Sequence, residues 1–195
     1  MNFKRFISTA QVKNTYQYIN TQKKYEIIRT IVYFAVSISL FIAGYIATES
    51  KLNLLTVVAV LGCLPASKSM VSMIMFCRFK SCDSAIYDKV CVFDRDLDCL
   101  YDLVFTTEKK TYVVAHGAYK SKCLVLFSQN TDIDTGSLEN HIHEYLKRAS
   151  ISGVTVKVYS DIEKYKARLE ALMELEREED KTAPEVIRLL KEITL

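Results

Sequence analysis

The chain has 195 residues, of which 50% are hydrophobic and 25% are charged, with only five glycines and two prolines. This composition excludes collagen-like and intrinsically disordered classes, and the length accommodates one ordinary domain plus a small additional element. The net charge is uneven: residues 1–29 sum to +5, residues 30–77 to +1 and residues 78–195 to −3. Because a duplex-binding protein usually carries its basic surface on the folded domain, nucleic acid is disfavoured as a partner.

Two apolar runs follow the basic N-terminal segment. Residues 30–48 contain no charged side chain, and nineteen helical residues at about 1.5 Å each reach roughly 29 Å, which matches the hydrocarbon core of a bilayer. Residues 54–77 form a second run that is interrupted only by Pro65, which can bend or end a helix, and by Lys68. The connection between the runs has five residues, so we predict a transmembrane helical hairpin.

The distribution of cations predicts the orientation of this hairpin. Six lysines and arginines precede the first run, and Arg78, Lys80 and Lys89 follow the second, whereas the connection carries only Lys51. The cytoplasmic side retains such cations, so we expect a multi-pass protein of the cell membrane with both termini in the cytoplasm. A signal peptide would have a shorter apolar stretch that starts closer to Met1. Residues 1–29 are basic, with apolar positions at helical spacing near their start, and are typical of an interfacial amphipathic segment or of a simple topogenic flank.

Small residues recur at intervals of four along both runs, which permits close approach of helix backbones in lipid. The predicted packing positions are Ala35, Ser39, Ala43 and Ala47 in the first run and Ala59, Cys63 and Ser67 in the second. We expect the two stripes to pack against each other within one hairpin; a seam between protomers of a homo-oligomer is also expected and can coexist with it. Lys68 is the one intramembrane charge, and it either snorkels to the headgroups or lines a pore or anion site.

Residues 78–195 show strand alternation and helix-capping signals. Strands are predicted at 89–93, 101–107, 111–118, 122–128 and 154–159, and Leu138, Ile142 and Leu146 mark a helix before the last strand. Ser160 with Glu163, and Thr182 with Glu185, are capping-box signatures that predict two further amphipathic helices, the first running to about Glu179. The expected fold is a small cytoplasmic mixed α/β domain in the order strand-strand-strand-strand-helix-strand-helix-helix.

The histidines and cysteines give no recognisable site from spacing alone. The six cysteines include no C-x-x-C pair and match no zinc module, so unpaired thiols in a reducing cytoplasm are expected. His116 lies beside Gly117 at a predicted strand end. That position suits either a ligand contact or an exposed ring, and the exposed ring is the favoured interpretation.

The acidic group Asp94, Asp96, Asp98 and Asp102 is the best candidate for chemistry. It does not form a calcium loop of the EF-hand kind, because Cys99 stands at the turn-glycine position and Phe105 at the closing glutamate. The sequence VCVFDRD resembles the first motif of haloacid-dehalogenase-type phosphatases, and that resemblance implies Asp94 as nucleophile and Asp96 as acid. The 34 residues from Asp94 to Ser128 read as strands, however, where that family has a helix.

A second resemblance is topological. The order helix, three strands, helix and strand is similar to that of PD-(D/E)xK nuclease domains, which would make Asp102 the metal-binding aspartate. The following strand, TYVVAHG, lacks the acid-x-Lys pair of that family. The resemblance therefore implies a degenerate relative without cleavage.

These observations lead to two hypotheses for function. The first is an integral membrane protein whose hairpin anchors, and oligomerises, a non-catalytic cytoplasmic α/β domain that binds an unidentified ligand or protein as a sensor or scaffold. It needs no cofactor, and its other partner is the lipid bilayer. The alternative is a membrane-tethered hydrolase, phosphatase-like or nuclease-like, that uses Mg²⁺ or Mn²⁺ at Asp94, Asp96 and Asp102.

Overall fold

The computed structural model describes residues 13–48, 54–107, 110–175 and 182–195. The chain divides into two compact units. The hairpin unit is Ile19–Lys80, and the α/β unit consists of the described residues up to Tyr18 together with Ser81–Leu195. Of the predicted basic segment 1–29, residues 1–12 lie outside the described residues.

The hairpin unit contains two long helices, α1 (Tyr18–Thr48) and α2 (Leu54–Arg78). Both are long and apolar enough to cross a membrane. Helix α1 starts twelve residues before the predicted span, so residues 18–29 of the basic segment are helical. Helix α2 continues through Pro65, which lies inside it. Lys68 is exposed on α2.

The two helices bury a different face from the predicted one. Buried positions on α2 are Ala59, Ala66, Ser69 and Phe76, and α1 buries Thr30 and Ser37. A Cβ atom added at Gly62 would lie 2.8 Å from the Ser37 hydroxyl oxygen, so the backbones approach closely there. Of the predicted positions only Ala59 is buried, and the remaining six are exposed: Ala35, Ser39, Ala43, Ala47, Cys63 and Ser67.

Hydroxyl pairing explains which face is used. Small residues occur on more than one side of each helix, but the buried face also carries Thr30 and Ser69, whose hydroxyl oxygens are 3.0 Å apart across the interface. The Arg29 Nε donates to the same Ser69 oxygen at 3.2 Å, and Arg29 Nη2 donates to the buried Glu26 carboxylate at 2.5 Å. A polar cluster therefore joins the helices at their basic ends, and the predicted packing positions other than Ala59 are exposed.

The α/β unit begins with helix α3 (Ser84–Val90), which runs into a 3-10 turn (Cys91–Arg95). Three strands follow, β1 (Asp98–Thr106), β2 (Thr111–Lys120) and β3 (Cys123–Phe127). Helix α4 (Thr135–Arg148) leads to β4 (Thr155–Tyr159), and α5 (Ile162–Met173) and α6 (Ala183–Ile193) complete the unit. The sheet order is β1-β2-β3-β4. The first three strands are antiparallel, and β4 is parallel to β3, so this is a mixed four-stranded sheet with helices.

The predicted strand at 89–93 is wrong, because these residues form the end of α3 and most of the 3-10 turn. The alternation of KVCVF also fits a helical face: Val90 and Phe93 are buried at a spacing of three, whereas Val92 is 68% exposed. The carboxylate of Asp83 caps the start of α3 by accepting the Ala85 N–H. A smaller difference concerns α5, which is capped by Asp161 instead of Ser160 and ends at Met173.

The sheet is covered on both faces. Helices α4 and α6 pack on one face through Leu138, Ile142, Leu146, Val186 and Leu190. On the other face, α5 packs with α3 and the 3-10 turn through Tyr165, Leu169, Leu172, Val90 and Phe93. The sheet is thus the middle layer between two hydrophobic cores.

The strand alternation breaks in the middle of β1 and β2. Asp102 has a positive φ of 53°, and the register passes from the Tyr101–His116 pair to the Leu103–Val114 pair without pairing Asp102. As a result Tyr101 packs in the α5-side core and Leu103 in the opposite core, although both would face the same side of a regular strand. This distortion turns the first half of β1 toward α5.

Both ends of the described chain lie against β1, which is an edge strand. The Tyr101 N–H donates to the Asn14 carbonyl oxygen at 2.9 Å, and the Leu195 N–H donates to the Val104 carbonyl at 3.1 Å. Asn14 Nδ2 in turn donates to Thr194 Oγ1 at 3.1 Å. The edge of β1 is therefore covered by backbone from residues nearly the whole chain apart.

Candidate functional site

Three elements bring a polar cluster together under α5. The 3-10 turn supplies Asp94, β1 supplies Cys99 and Tyr101, and β2 supplies His116 directly opposite Tyr101. Tyr165 comes from the first half of α5. Because the alternation breaks at Asp102, the side chains from β1 and β2 point toward α5 at this point and not toward α4.

Asp94, Cys99 and His116 form the centre of this cluster. One carboxylate oxygen, the thiol sulfur and one ring nitrogen all lie within 4.8 Å of one another. The Nε2 atom of His116 is 3.9 Å from Asp94 Oδ1, which is longer than a hydrogen bond. Asp94 Oδ1 and His116 Nε2 are therefore close to each other without a hydrogen bond between them.

Two tyrosine hydroxyls fix the orientation of these groups. The Tyr101 hydroxyl donates to Asp94 Oδ1 at 2.7 Å, and the Tyr165 hydroxyl is 2.6 Å from His116 Nδ1. Tyr101 itself packs against the His116 ring with centroids 4.6 Å apart. The Asp94 carboxylate and the His116 ring are thus each held by a tyrosine hydroxyl.

The other ring nitrogen of His116, Nε2, is buried without a hydrogen bond to any residue that the structure describes. The residue is 0% exposed, yet its Nε2 has no hydrogen-bond partner among the described residues. A buried polar atom in that condition costs about 1–3 kcal/mol. The favoured prediction of an exposed His116 ring is wrong, because the residue lies within β2 beneath α5 and not at a strand end.

The cluster has one anionic member. Partial burial alone would raise the pKa of Asp94, but interactions with His116, Tyr101 and Cys99 outweigh it and hold that pKa below its usual value. Burial, with the Asp94 charge beside it, raises the pKa of the Cys99 thiol far above its usual range. At neutral pH the pair is therefore a carboxylate facing a protonated thiol.

Burial also keeps the rest of the cluster neutral. It lowers the pKa of His116, and the nearby Asp94 carboxylate opposes this only in part. Burial likewise raises the pKa of Tyr101 and of Tyr165. The imidazole is consequently uncharged, with one nitrogen acting as donor and the other as acceptor.

This arrangement does not suit covalent catalysis by Cys99. A nucleophilic cysteine needs a lowered pKa from a cationic neighbour, whereas Cys99 is buried beside a carboxylate. The same three donors, an oxygen, a sulfur and a nitrogen, are the atom types that bind transition metals. The Asp94 side chain is 35% exposed, so one side of the cluster is open to solvent.

An aromatic group continues from the cluster toward the segment before α1. The Tyr87 ring lies 5.5 Å from that of Tyr101, and Tyr16 stacks on Tyr87 with centroids 3.8 Å apart. Tyr16 follows the Asn14 carbonyl that accepts the Tyr101 N–H. Asp94 is thus linked through three tyrosines to the residues that precede the first long helix.

The predicted aspartates have different surroundings. Asp94 belongs to the cluster, and Asp96 is exposed beside the 3-10 turn. Asp102 is buried, where it accepts the Cys82 N–H at 2.7 Å and the Ser81 hydroxyl. The cluster of possible metal ligands among the described residues joins Asp94 to Cys99 and His116. The predicted strand began at residue 101 and left Cys99 outside it, and nothing in the spacing of the sequence linked Cys99 to His116.

Comparison with known proteins gives no relative for this arrangement. No protein-family model, curated protein or solved structure matches the chain.

Proposed function

We propose that this is an integral membrane protein in which the α1–α2 hairpin anchors a cytoplasmic α/β domain that acts by binding a ligand. The observation that carries the proposal is the uncovered apolar surface of the hairpin. In the most apolar window of each helix only 17% of the residues are buried. A core helix of a water-soluble protein would be mostly buried, whereas lipid removes the cost of such a surface.

The side chains on this surface are large and aliphatic. Ile46 is 72% exposed, Leu54 79% and Leu64 69%. So many large apolar side chains exposed along two neighbouring helices are unusual for a monomeric soluble protein. At one end of the hairpin, Arg29 joins the two helices by donating to Ser69, and it also donates to Glu26.

The proposed orientation rests on charge. Five of the seven basic residues of the hairpin unit, all except Lys51 and Lys68, lie near the start of α1 or the end of α2. Lys23 Nζ donates to the Phe79 carbonyl at 2.9 Å, so these two ends lie together. Positive charge at the shared end favours retention of that end, and of the α/β unit that follows it, in the cytoplasm.

The proposed ligand site of the α/β unit is the Asp94–Cys99–His116 cluster. It combines a buried nitrogen that lacks a hydrogen bond with an anionic oxygen that reaches solvent. The Mg²⁺- or Mn²⁺-dependent hydrolase that would use Asp94, Asp96 and Asp102 receives less support. The Asp102 carboxylate is buried and already accepts the Cys82 N–H, and Asp96 is exposed and is not among the three clustered donors.

Membrane extraction and a pair of reporter fusions test this proposal. We expect the full chain to remain in the membrane fraction after alkaline and high-salt washing and to be released only by detergent. A fluorescent protein fused after Leu195 should fluoresce, and alkaline phosphatase at that position should be inactive. Both reporters inserted after Lys51 should give the opposite result.

Recovery of the full chain in the aqueous fraction without detergent would overturn the anchor. An active phosphatase after Leu195 would overturn the orientation alone. Glu49→Lys is the control for orientation, because one added cation in the connection should leave the six cations before the first run and the three after the second dominant.

A further inference from the structure

We propose that Asp94, Cys99 and His116 form a binding site for a divalent transition metal of the zinc class, with one coordination position open to solvent. This inference deepens the proposed function, since it names the ligand of the cytoplasmic domain. It depends on the cluster in the α/β unit and not on where the hairpin resides.

The distances between the donor atoms are close to those of a tetrahedral site. With metal–oxygen and metal–nitrogen bonds of about 2.0–2.1 Å, the oxygen and nitrogen of such a site are roughly 3.4 Å apart. Asp94 Oδ1 and His116 Nε2 are 3.9 Å apart, and all three donors lie within 4.8 Å. Asp94 lies on a short 3-10 turn and its side chain is 35% exposed, so it is the ligand with the most freedom to move toward a bound metal.

The buried Nε2 atom of His116 is the independent sign of a ligand. It points into the cluster from a residue that is 0% exposed and is without a hydrogen-bond partner among the described residues. A bound metal would take its lone pair and remove the unsatisfied group. Hydrogen bonds within the cluster do not reach this atom.

The surroundings of the cluster also fit a metal site. A ligating histidine usually donates its second ring N–H to a neighbouring group, which fixes the ring and its tautomer. Here Nδ1 is 2.6 Å from the Tyr165 hydroxyl, and Tyr101 holds Asp94 Oδ1 in the same way at 2.7 Å. Metal binding at Nε2 requires the tautomer in which Nδ1–H donates to Tyr165.

The donor set selects the class of metal. A bound metal would displace the Cys99 thiol proton to solvent. The resulting thiolate, with an imidazole and a carboxylate, suits zinc and its neighbours, whereas magnesium, calcium and manganese prefer oxygen ligands throughout. Three protein ligands leave the fourth tetrahedral position for water or another small molecule. The 35% exposure of the Asp94 side chain places that position on the solvent side of the cluster.

Cobalt(II) titration of the full chain in detergent provides the test. We expect one equivalent of Co²⁺ to give the visible bands of tetrahedral cobalt together with a near-ultraviolet thiolate-to-cobalt band. One equivalent of Zn²⁺ should remove both, while a large excess of Mg²⁺ should not. The measurement needs no enzymatic activity.

Matched variants assign the signal to the proposed residues. Cys99→Ser should abolish the thiolate band and Asp94→Asn should weaken binding at least tenfold, whereas Cys123→Ser and Asp96→Asn should bind like the unmodified chain. Tyr165→Phe keeps all three ligands and should retain the spectrum while weakening affinity about 10–100-fold. Near-ultraviolet circular dichroism identifies any variant that fails to fold.

Two results would overturn the inference: no stoichiometric cobalt band in the folded chain, or a band that persists unchanged in Cys99→Ser and Asp94→Asn. If Cys99→Ser does not fold, the cobalt affinities of Asp94→Asn and Tyr165→Phe decide whether the metal binds at this cluster. Failure of the inference and failure of the anchor are distinguishable. Loss of the cobalt signal in a chain that stays in the membrane rejects the metal alone, and a cobalt signal in a water-soluble chain rejects the anchor alone.

Discussion

Asp102 shows how one residue can look catalytic in the sequence and have a structural role in the fold. Its carboxylate accepts the backbone N–H of Cys82 at 2.7 Å and the Ser81 hydroxyl, and thereby fastens the start of the α/β unit to β1. Its positive φ of 53° changes which face of the sheet the neighbouring side chains occupy. Asp102 therefore determines which neighbouring side chains face the cluster, but it is not itself a member of the cluster.

This role predicts a large loss of stability on truncation. Asp102→Ala removes both hydrogen bonds, leaves the Cys82 N–H buried and places an alanine at positive φ, so we expect a loss of about 3 kcal/mol. Asp102→Asn retains one acceptor oxygen and tolerates positive φ, so its loss should be about half as large. Thermal unfolding of the full chain in detergent measures both.

Asp96→Ala is the matched control, because Asp96 is an exposed aspartate close by in the chain, and its midpoint should change little. Equal midpoints for Asp102→Ala and Asp96→Ala would contradict the structural role of Asp102.

Of the three central residues of the candidate site, the sequence identified only Asp94. Asp94 was identifiable because acidic residues alternate from 94 to 98. Cys99 and His116 were not, because their proximity depends on strand pairing and on the break in alternation at Asp102. A period-two pattern assumes a regular strand, so it assigns Tyr101 and Leu103 to the same face.

At the scale of elements, the apolar lengths of the two helices were predictable and their contact face was not. If the helices lie in a bilayer, as proposed, lipid solvates every apolar side chain equally well, so hydrophobicity does not distinguish the buried face of α1 or α2. The choice is made by close approach and by hydroxyl pairs such as Thr30 with Ser69. Within the α/β unit, by contrast, helix faces such as Leu138, Ile142 and Leu146 follow directly from 3.6-residue periodicity.

The contact face of the hairpin leads to a second prediction. Gly62→Leu inserts a side chain where even a Cβ would lie 2.8 Å from the Ser37 oxygen, so the helices must separate. We expect a loss of about 1–3 kcal/mol. Cys63→Leu introduces the same leucine at the next position, which is exposed, and should leave the stability unchanged.

Thermal midpoints of the two variants in one detergent decide between these faces. If Cys63→Leu is the damaging variant and Gly62→Leu is neutral, the stripe of Ala59, Cys63 and Ser67 forms the principal contact instead.

At the scale of the whole molecule, residues at opposite ends of the chain meet on β1. Lys13 Nζ donates to the carbonyls of Lys191 and Thr194 at 2.6 and 2.5 Å, and partial burial lowers the pKa of this lysine. Contacts across about 180 positions carry no periodic signal, so neither composition nor alternation could have predicted them. The segment before α1 is consequently part of the α/β unit.

These Lys13 hydrogen bonds predict that local unfolding near β1 and α6 becomes more frequent when the lysine is removed. Lys13→Ala leaves the last carbonyls of α6 without their donor and loosens residues 13–15 from β1. We expect amide exchange in the peptides covering 98–106 and 183–195 of the full chain to accelerate about tenfold, which corresponds to roughly 1.4 kcal/mol.

Lys164→Ala, at an exposed lysine on α5, is the control and should leave both peptides unchanged. If amide exchange is as slow in Lys13→Ala as in this control, the contact between the two ends of the described chain does not depend on the lysine.

The covering of β1 also affects how neighbouring copies of the protein can behave. Tethering at a bilayer, as proposed, confines copies to two dimensions and raises the frequency of encounters between them. An open strand there would be a template for strand addition from molecule to molecule. Because Asn14 and Leu195 already occupy the backbone groups of Tyr101 and Val104, the domain can be present at high surface density without forming intermolecular sheets through this strand.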